Sequence, residues 1–154
     1  MSCCNSKTTD EKTLKLLCPD CNEKGAKIKT TSLQNHLLQK FKALINKDLP
    51  YQFCKNPSCE VVYFSKVSVF YKDQLKEKVT IKSDDLDVKT CYCFNITKGD
   101  IVNEIKNTGD SSVIEVIKKK MKDPGCFCET SNPQGGCCLA NNMAFIKATK
   151  NEFN

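Results

Sequence analysis

Cysteine placement constrains this chain more than any other feature. Its twelve cysteines are Cys3, Cys4, Cys18, Cys21, Cys54, Cys59, Cys91, Cys93, Cys126, Cys128, Cys137 and Cys138, always in close pairs. Disulfide scaffolds belong to oxidising compartments. The opening Met1-Ser2-Cys3-Cys4-Asn5-Ser6-Lys7 has no apolar stretch of the kind that directs export. Close pairs also enclose almost no loop, so bridging them would constrain little. Neighbouring thiolates, by contrast, converge on one ion. The cysteines therefore read as metal ligands in a reduced, cytoplasmic protein. No apolar run approaches the ~20 residues of a membrane-spanning helix.

Cys18-x2-Cys21 and Cys54-x4-Cys59 are two chelating turns on distant segments. Together they offer the four soft ligands of a tetrahedral zinc site. Such a closed site leaves no open coordination position, so its expected role is structural. Rubredoxin-like iron would use the same ligands. His36 is the single histidine, which excludes hydrolytic triads and histidine-based copper or iron sites. It lies off the Leu33–Leu37–Phe41 stripe and is expected at the surface.

The remaining paired cysteines are Cys91-x-Cys93, Cys126-x-Cys128 and Cys137-Cys138. Residues two apart in an extended turn point to one side, so Cys91 and Cys93 can hold one iron while a distant pair holds another. Asn132-Pro133-Gln134-Gly135 fits a type I turn that folds the loop back. Adjacent side chains diverge, so only one of Cys137 and Cys138 is expected to ligate. The same argument applies less firmly to Cys126 and Cys128. Spacing alone leaves a second zinc open.

Residues 1–13 are polar apart from Cys3-Cys4 and read as a mobile tail. A first unit covers 14–82 and a second 91–150, joined by a polar linker at 83–90. The first reads as a small zinc-ribbon-like α/β module. It has a strand at 26–31, a helix at 32–45 capped by Ser32, and strands at 61–64 and 67–71. The second reads as a small helical domain. One helix runs from Thr97 and Asp100 to about Asn107, with Ile101, Val102 and Ile105 inward and Gly109 as its breaker. A Ser112/Glu115 capping box opens another to Met121, Pro124-Gly125 stops it, and a last helix covers 140–148. The class is α+β. Units this small gain needed stability from bound metal. With a polar connector between them, each metal is expected to stabilise mainly its own unit.

The run Cys91-Tyr92-Cys93-Phe94-Asn95-Ile96-Thr97-Lys98-Gly99-Asp100-Ile101 resembles the opening motif of bacterioferritin-associated-ferredoxin-like domains, which bind a 2Fe-2S cluster between short helices. The run Cys126-x-Cys128-Glu129-x2-Asn132-Pro133-x-Gly135-x-Cys137-Cys138-Leu139 departs from their closing C-x2-C pair. It resembles instead the amino-terminal region of CopZ-type copper chaperones. That family also carries the pattern Cys18-Pro19-x-Cys21 with Cys54-x-Asn56-Pro57-x-Cys59 upstream. The resemblance covers residues 14–148. It implies a 2Fe-2S cluster on Cys91, Cys93, Cys128 and Cys138, with Cys126 and Cys137 beside it, and Zn2+ on Cys18, Cys21, Cys54 and Cys59. In the family this region precedes a separate copper-binding domain.

What the resemblance implies is an electron carrier, not an enzyme. One-electron transfer would serve copper handling, either by reducing Cu(II) to Cu(I) or by passing Cu+ along transiently. The implied partners are a redox protein and a copper chaperone domain or copper-transporting ATPase. Cys3-Cys4 reads as a soft-metal entry point or as two idle thiols. Two other functions remain open: a zinc-ribbon adaptor for nucleic acid or protein, and a ferredoxin partner of bacterioferritin in iron release.

Charge bears on the adaptor. All 24 basic residues are lysine, against 18 acidic ones, for a net +6 with neutral thiols. A zinc tetrathiolate and an oxidised cluster on four thiolates each contribute about −2, which offsets most of that balance. Arginine, the residue that reads guanine bidentately, is absent. Lys118-Lys119-Lys120-Met121-Lys122 is the densest basic run and reads as lysine placed at a helix C-terminus. These grounds argue against nucleic acid as a partner.

Overall fold

Four short segments rich in aromatic and β-branched residues pair into one sheet, and everything else is arranged around it. The computed structural model describes residues 16–153 apart from Pro124 and Cys126. The expectations for the 1–13 tail, Cys3-Cys4 and Cys126 lie outside the described residues. Strands β1 (Gly25–Ile28), β2 (Tyr51–Cys54), β3 (Val61–Phe64) and β4 (Val69–Tyr71) are antiparallel and neighbour one another in chain order. Gly25 pairs with Cys54. A Cβ at Gly25 would come 2.7 Å from the Gln52 Cβ and 2.8 Å from the Phe64 ring, so β1 closes on β2 only with glycine there.

The helix expected over 32–45 is cut short. Helix α1 (Thr30–His36) is capped by Lys29, with Ser32 inside it, and ends as Leu37 turns extended. Sheet-like bonds to the segment after β4 win over helix continuation. Leu37 bridges Leu75, the Leu38 N–H donates to the Gln74 carbonyl at 2.9 Å, and the Lys76 N–H donates to the His36 carbonyl at 2.8 Å. A 3-10 turn then covers Gln39–Leu44. This arrangement buries Leu33 and Leu37 against Tyr51, Phe53, Val62, Tyr63 and Phe70. The ring pairs Tyr51–Phe70 and Phe53–Tyr63 lie 6.2 and 6.3 Å apart in tilted contact. A second cluster joins Val61 and Phe64 to Cys18, Cys54 and Cys59.

Beyond the sheet, β5 (Lys89–Cys91) and β6 (Ile96–Thr97) form a hairpin whose turn holds Asn95 in the left-handed region at φ 56°. Helices α2 (Lys98–Thr108), α3 (Val113–Lys122), α4 (Cys128–Ser131) and α5 (Leu139–Phe153) follow. The expected cap of α2 is formed in both directions. The Asp100 N–H donates to Thr97 Oγ1 at 3.1 Å, and the Thr97 N–H donates to Asp100 Oδ2 at 3.0 Å. The box expected at Ser112 is not formed. Ser111 Oγ takes the Val113 N–H at 3.2 Å, and the Ser112 N–H is drawn to the Glu104 carboxylate instead. Helix α5 runs past the expected 148 to Phe153, whose ring lies under Lys106 Nζ at 5.6 Å.

The polar linker expected at 83–90 is a connector only in part. Val88 is buried, Lys89 opens β5, and Thr80 Oγ1 donates to the Lys89 carbonyl at 2.8 Å. The two units also share a buried face, where α1 packs on α4. Tyr63 Oη donates to the Pro133 carbonyl at 2.5 Å, and Asn35 Nδ2 donates to the Thr130 carbonyl at 3.4 Å. His36, expected at the surface, is 6% exposed. Its helix ends under the Leu75 bridge and against α4, which removes it from water. Burial pulls its imidazole pKa down, partly offset by the Thr130 carbonyl, and Nε2 has no hydrogen-bond partner among the described residues.

Candidate metal centres

The first centre is assembled by two turns on adjoining strands. After Cys21 the backbone reverses through Asn22 at φ 62°, with the Asn22 N–H on the Cys18 carbonyl at 2.8 Å. In the second turn, Asn56 Oδ1 accepts the Ser58 N–H at 3.0 Å and the Asn56 carbonyl accepts the Cys59 N–H at 3.1 Å. Pairing of β1 with β2 brings these turns face to face. Cys18 Sγ lies 3.8 Å from Cys59 Sγ, Cys21 Sγ lies 3.6 Å from Cys54 Sγ, and all four sulfurs fall within 4.8 Å of one another. A tetrahedron with ~2.3 Å zinc–sulfur arms has edges of about 3.8 Å. The thiols are unbridged, and Cys18 and Cys54 are each 1% exposed. Size, burial and soft donors all fit Zn2+ on Cys18, Cys21, Cys54 and Cys59.

Their protonation is uneven. Burial opposes ionisation of Cys21, but the Glu23 N–H, the Asn56 side chain and the Cys18 and Cys54 thiols bond to it and bring it down to about 7. Burial drives Cys54 up to about 12 and raises Cys59 as well. A metal entering this site must displace protons from the buried members, which couples its affinity to pH.

The second cysteine set is more spread out. Cys93 Sγ lies 3.6 Å from Cys128 Sγ, and Cys128 Sγ lies 3.9 Å from Cys138 Sγ. The Cys138 thiol in turn bonds to Cys91, bringing it down to about 6 against the effect of burial, with help from the Phe94 and Cys93 N–H groups and Lys120. That same bond, then burial, raises Cys138. The sulfur contacts thus form a string from Cys93 through Cys128 to Cys138, and Cys138 is coupled in turn to Cys91. Among the described residues only the first set has all its ligand atoms within one 4.8 Å range. Cys93 also receives the Phe127 N–H at 3.0 Å and has Ser131 Oγ at 2.9 Å. Cys137 faces solvent while Cys138 is buried.

Two features bracing this set are missed by sequence reasoning. The Asn132–Gly135 turn does form, with the Gly135 N–H on the Asn132 carbonyl at 2.8 Å, but it is buried against β1. Gly135 has φ 77°, and a Cβ there would sit 3.1 Å from the Ile28 side chain. Asn142 is fully buried, and its Nδ2 donates to the Thr90 carbonyl at 2.8 Å and the Cys138 carbonyl at 2.9 Å. It ties the strand before Cys91 to the turn at Cys138. The signal was its spacing, four residues from both Cys138 and Ile146 on one helical stripe.

Residues 15–76 match the family model of the CopZ zinc binding domain. The segment that holds all four first-set cysteines is therefore the segment that carries the match. Over 121 residues the chain is 30% identical to the copper chaperone CopZ of Archaeoglobus fulgidus, across 79% of this chain and 57% of that protein. The chain thus spans little more than half the length of this curated relative. The X-ray structure of the Archaeoglobus fulgidus CopZ N-terminal domain superposes with a TM-score of 0.72 at 27% identity, covering 84% of this chain and 96% of that one. The α+β fold expected from the sequence is the fold of that domain. Among the described residues no helix is long and apolar enough to cross a membrane.

Proposed function

We propose that this chain is a cytoplasmic metal-binding redox protein of copper handling, with a structural zinc on the first cysteine set and a 2Fe-2S cluster on Cys91, Cys93, Cys128 and Cys138. The observation that carries the second assignment is the string of sulfurs, wider than the coordination sphere of one ion. Paired thiolates at two separate irons need such a spread, whereas a second zinc needs the compact arrangement of the first set. When bound, the cluster supplies one reversible electron, the change that converts Cu(II) into the Cu(I) favoured by thiolates. The chain's own part is to hold and tune it. The Phe127 N–H on Cys93 lowers the charge felt at that sulfur, and Asn142 fixes the distance between the Cys91 and Cys138 backbones.

Similarity to a copper chaperone supports the copper context and a non-enzymatic role. The partners that fit are a redox protein as donor and a copper-binding domain or copper-transporting ATPase as recipient. Anaerobic purification followed by iron, zinc and sulfide analysis tests the reading. About two irons and two sulfides per zinc are expected, with a visible chromophore bleached by dithionite. Adding Cu(II) to the bleached protein should restore the colour while a Cu(I)-specific chelator reports stoichiometric Cu(I). A colourless chain with only zinc after cluster reconstitution would overturn it.

A further inference from the structure

Lys82 is 4% exposed, and among the described residues no carboxylate pairs with it. Its Nζ donates to the Asn56 carbonyl at 2.7 Å and to the Cys59 carbonyl at 3.2 Å. It also lies 5.9 Å from the centre of the Phe53 ring. Both carbonyls belong to the second zinc turn. A lysine ammonium this deeply buried requires an anion nearby. A zinc ion on four thiolates carries a net charge of about −2 and supplies one.

The position of Lys82 in the chain matters as much as its burial. It lies outside the 15–76 segment that matches the zinc binding domain. Its own backbone is held from the first unit, and only the next residue is held from the second. Lys72 Nζ donates to the Lys82 carbonyl at 3.1 Å, and Lys98 Nζ from α2 donates to the next carbonyl, that of Ser83. The Lys82 N–H closes a turn on the Val79 carbonyl at 3.0 Å. The ammonium therefore reaches the zinc turn from the last residue of the first unit, next to the carbonyl that the second unit binds.

We propose that, with zinc on the first cysteine set, Lys82 is the buried counter-charge of the zinc–thiolate centre, supplied from the edge of the first unit. Lys82 acts through the ligand turn and is a positioning residue for the centre.

The test uses the full chain with zinc bound and three variants, Lys82→Gln, Lys82→Met and Lys82→Arg. Lys82→Gln keeps hydrogen-bond donors for the two carbonyls and removes the charge. Zinc release to excess pyridylazoresorcinol should accelerate at least tenfold in Lys82→Gln and Lys82→Met, and stay within about threefold of the parent in Lys82→Arg. Iron reconstituted into the same four thiolates gives the second readout, followed by its high-spin ferric signal. Reduction takes that site from about −1 to about −2, so loss of a buried positive charge must lower its midpoint potential. Simple loosening that admits water would favour the more charged reduced form and raise it. Faster zinc release with a lowered potential in Lys82→Gln supports the proposal. Parent-like zinc release, or an unchanged or raised potential, overturns it. Should Lys82→Met fail to fold, Lys82→Gln alone decides.

Discussion

The two cysteine sets share a ligand type and differ in what organises it. The first is built by strand register: once β1 pairs with β2, the turns carrying Cys18, Cys21, Cys54 and Cys59 have nowhere else to point. The second depends on helix ends and a long loop. Cys91 comes from β5, Cys128 opens α4, and Cys138 precedes α5. Hydrogen bonds of Asn142 and a turn packed on the far unit hold these pieces together. A site set by backbone pairing is compact and closed. A site set by helix packing can be wider, while each set keeps one half-buried cysteine, Cys21 in the first and Cys93 in the second.

The largest effect that would break this comparison comes from the first set. A Cys18→Ser, Cys54→Ser double variant should release zinc and unfold residues 14–82, a loss on the order of 10 kcal/mol. Independent units would keep the proposed visible chromophore. The α1–α4 contact predicts that it is lost in part, read as iron content per chain. Full retention would show that the shared face carries little energy. Next in size, Cys91→Ser or Cys138→Ser should abolish the proposed chromophore while zinc content stays at the parent level. Loss of zinc alongside it would mean that the second set supports the first.

Smaller changes sharpen the same contrast. Tyr63→Phe leaves the Pro133 carbonyl buried and unpaired, so thermal unfolding should report a loss of about 1–3 kcal/mol. The effect should fall on both units, visible as one shifted transition. His36 gives the smallest effect and the only one tied to its own titration. Its folded pKa lies below the 6.5 of a free imidazole because it is buried. Below that unfolded value the unfolded chain takes up a proton that the folded one refuses. Stability contributed by neutral His36 is therefore complete above pH 6.5 and is lost as pH falls toward the folded pKa. His36→Phe should flatten the difference in stability between pH 7 and pH 5.5, measured by urea unfolding with zinc held in excess. An unchanged slope would place the acid sensitivity in the thiolates.

Much of this was legible before any coordinates. Cys18-x2-Cys21 and Cys54-x4-Cys59 are short local patterns, and a local pattern survives any tertiary arrangement. The α2 cap and its Gly109 stop are equally local. The misreadings concern competition at a distance. The apolar spacing of Leu33, Leu37, Leu38 and Phe41 suits a long helix, but Leu75 lies far along the chain and offers Leu37 a strand-like partner. Lys82 and Asn142 look solvated because periodicity ranks them as polar. Their burial follows from the carbonyls they meet, and no windowed pattern contains those carbonyls.

One consequence follows from the order of the ligands along the chain. Cys18 and Cys59 bracket the whole first set, and every member of it precedes Cys91. During synthesis the amino-terminal part folds first. The first quartet therefore leaves the ribosome ahead of every cysteine of the second set. An interleaved order would offer the first arriving ion mixed quartets, with trapping in the wrong partnership. Sequential order separates the two sets in time, and it lets the first four sulfurs find one another before the later thiols emerge to compete.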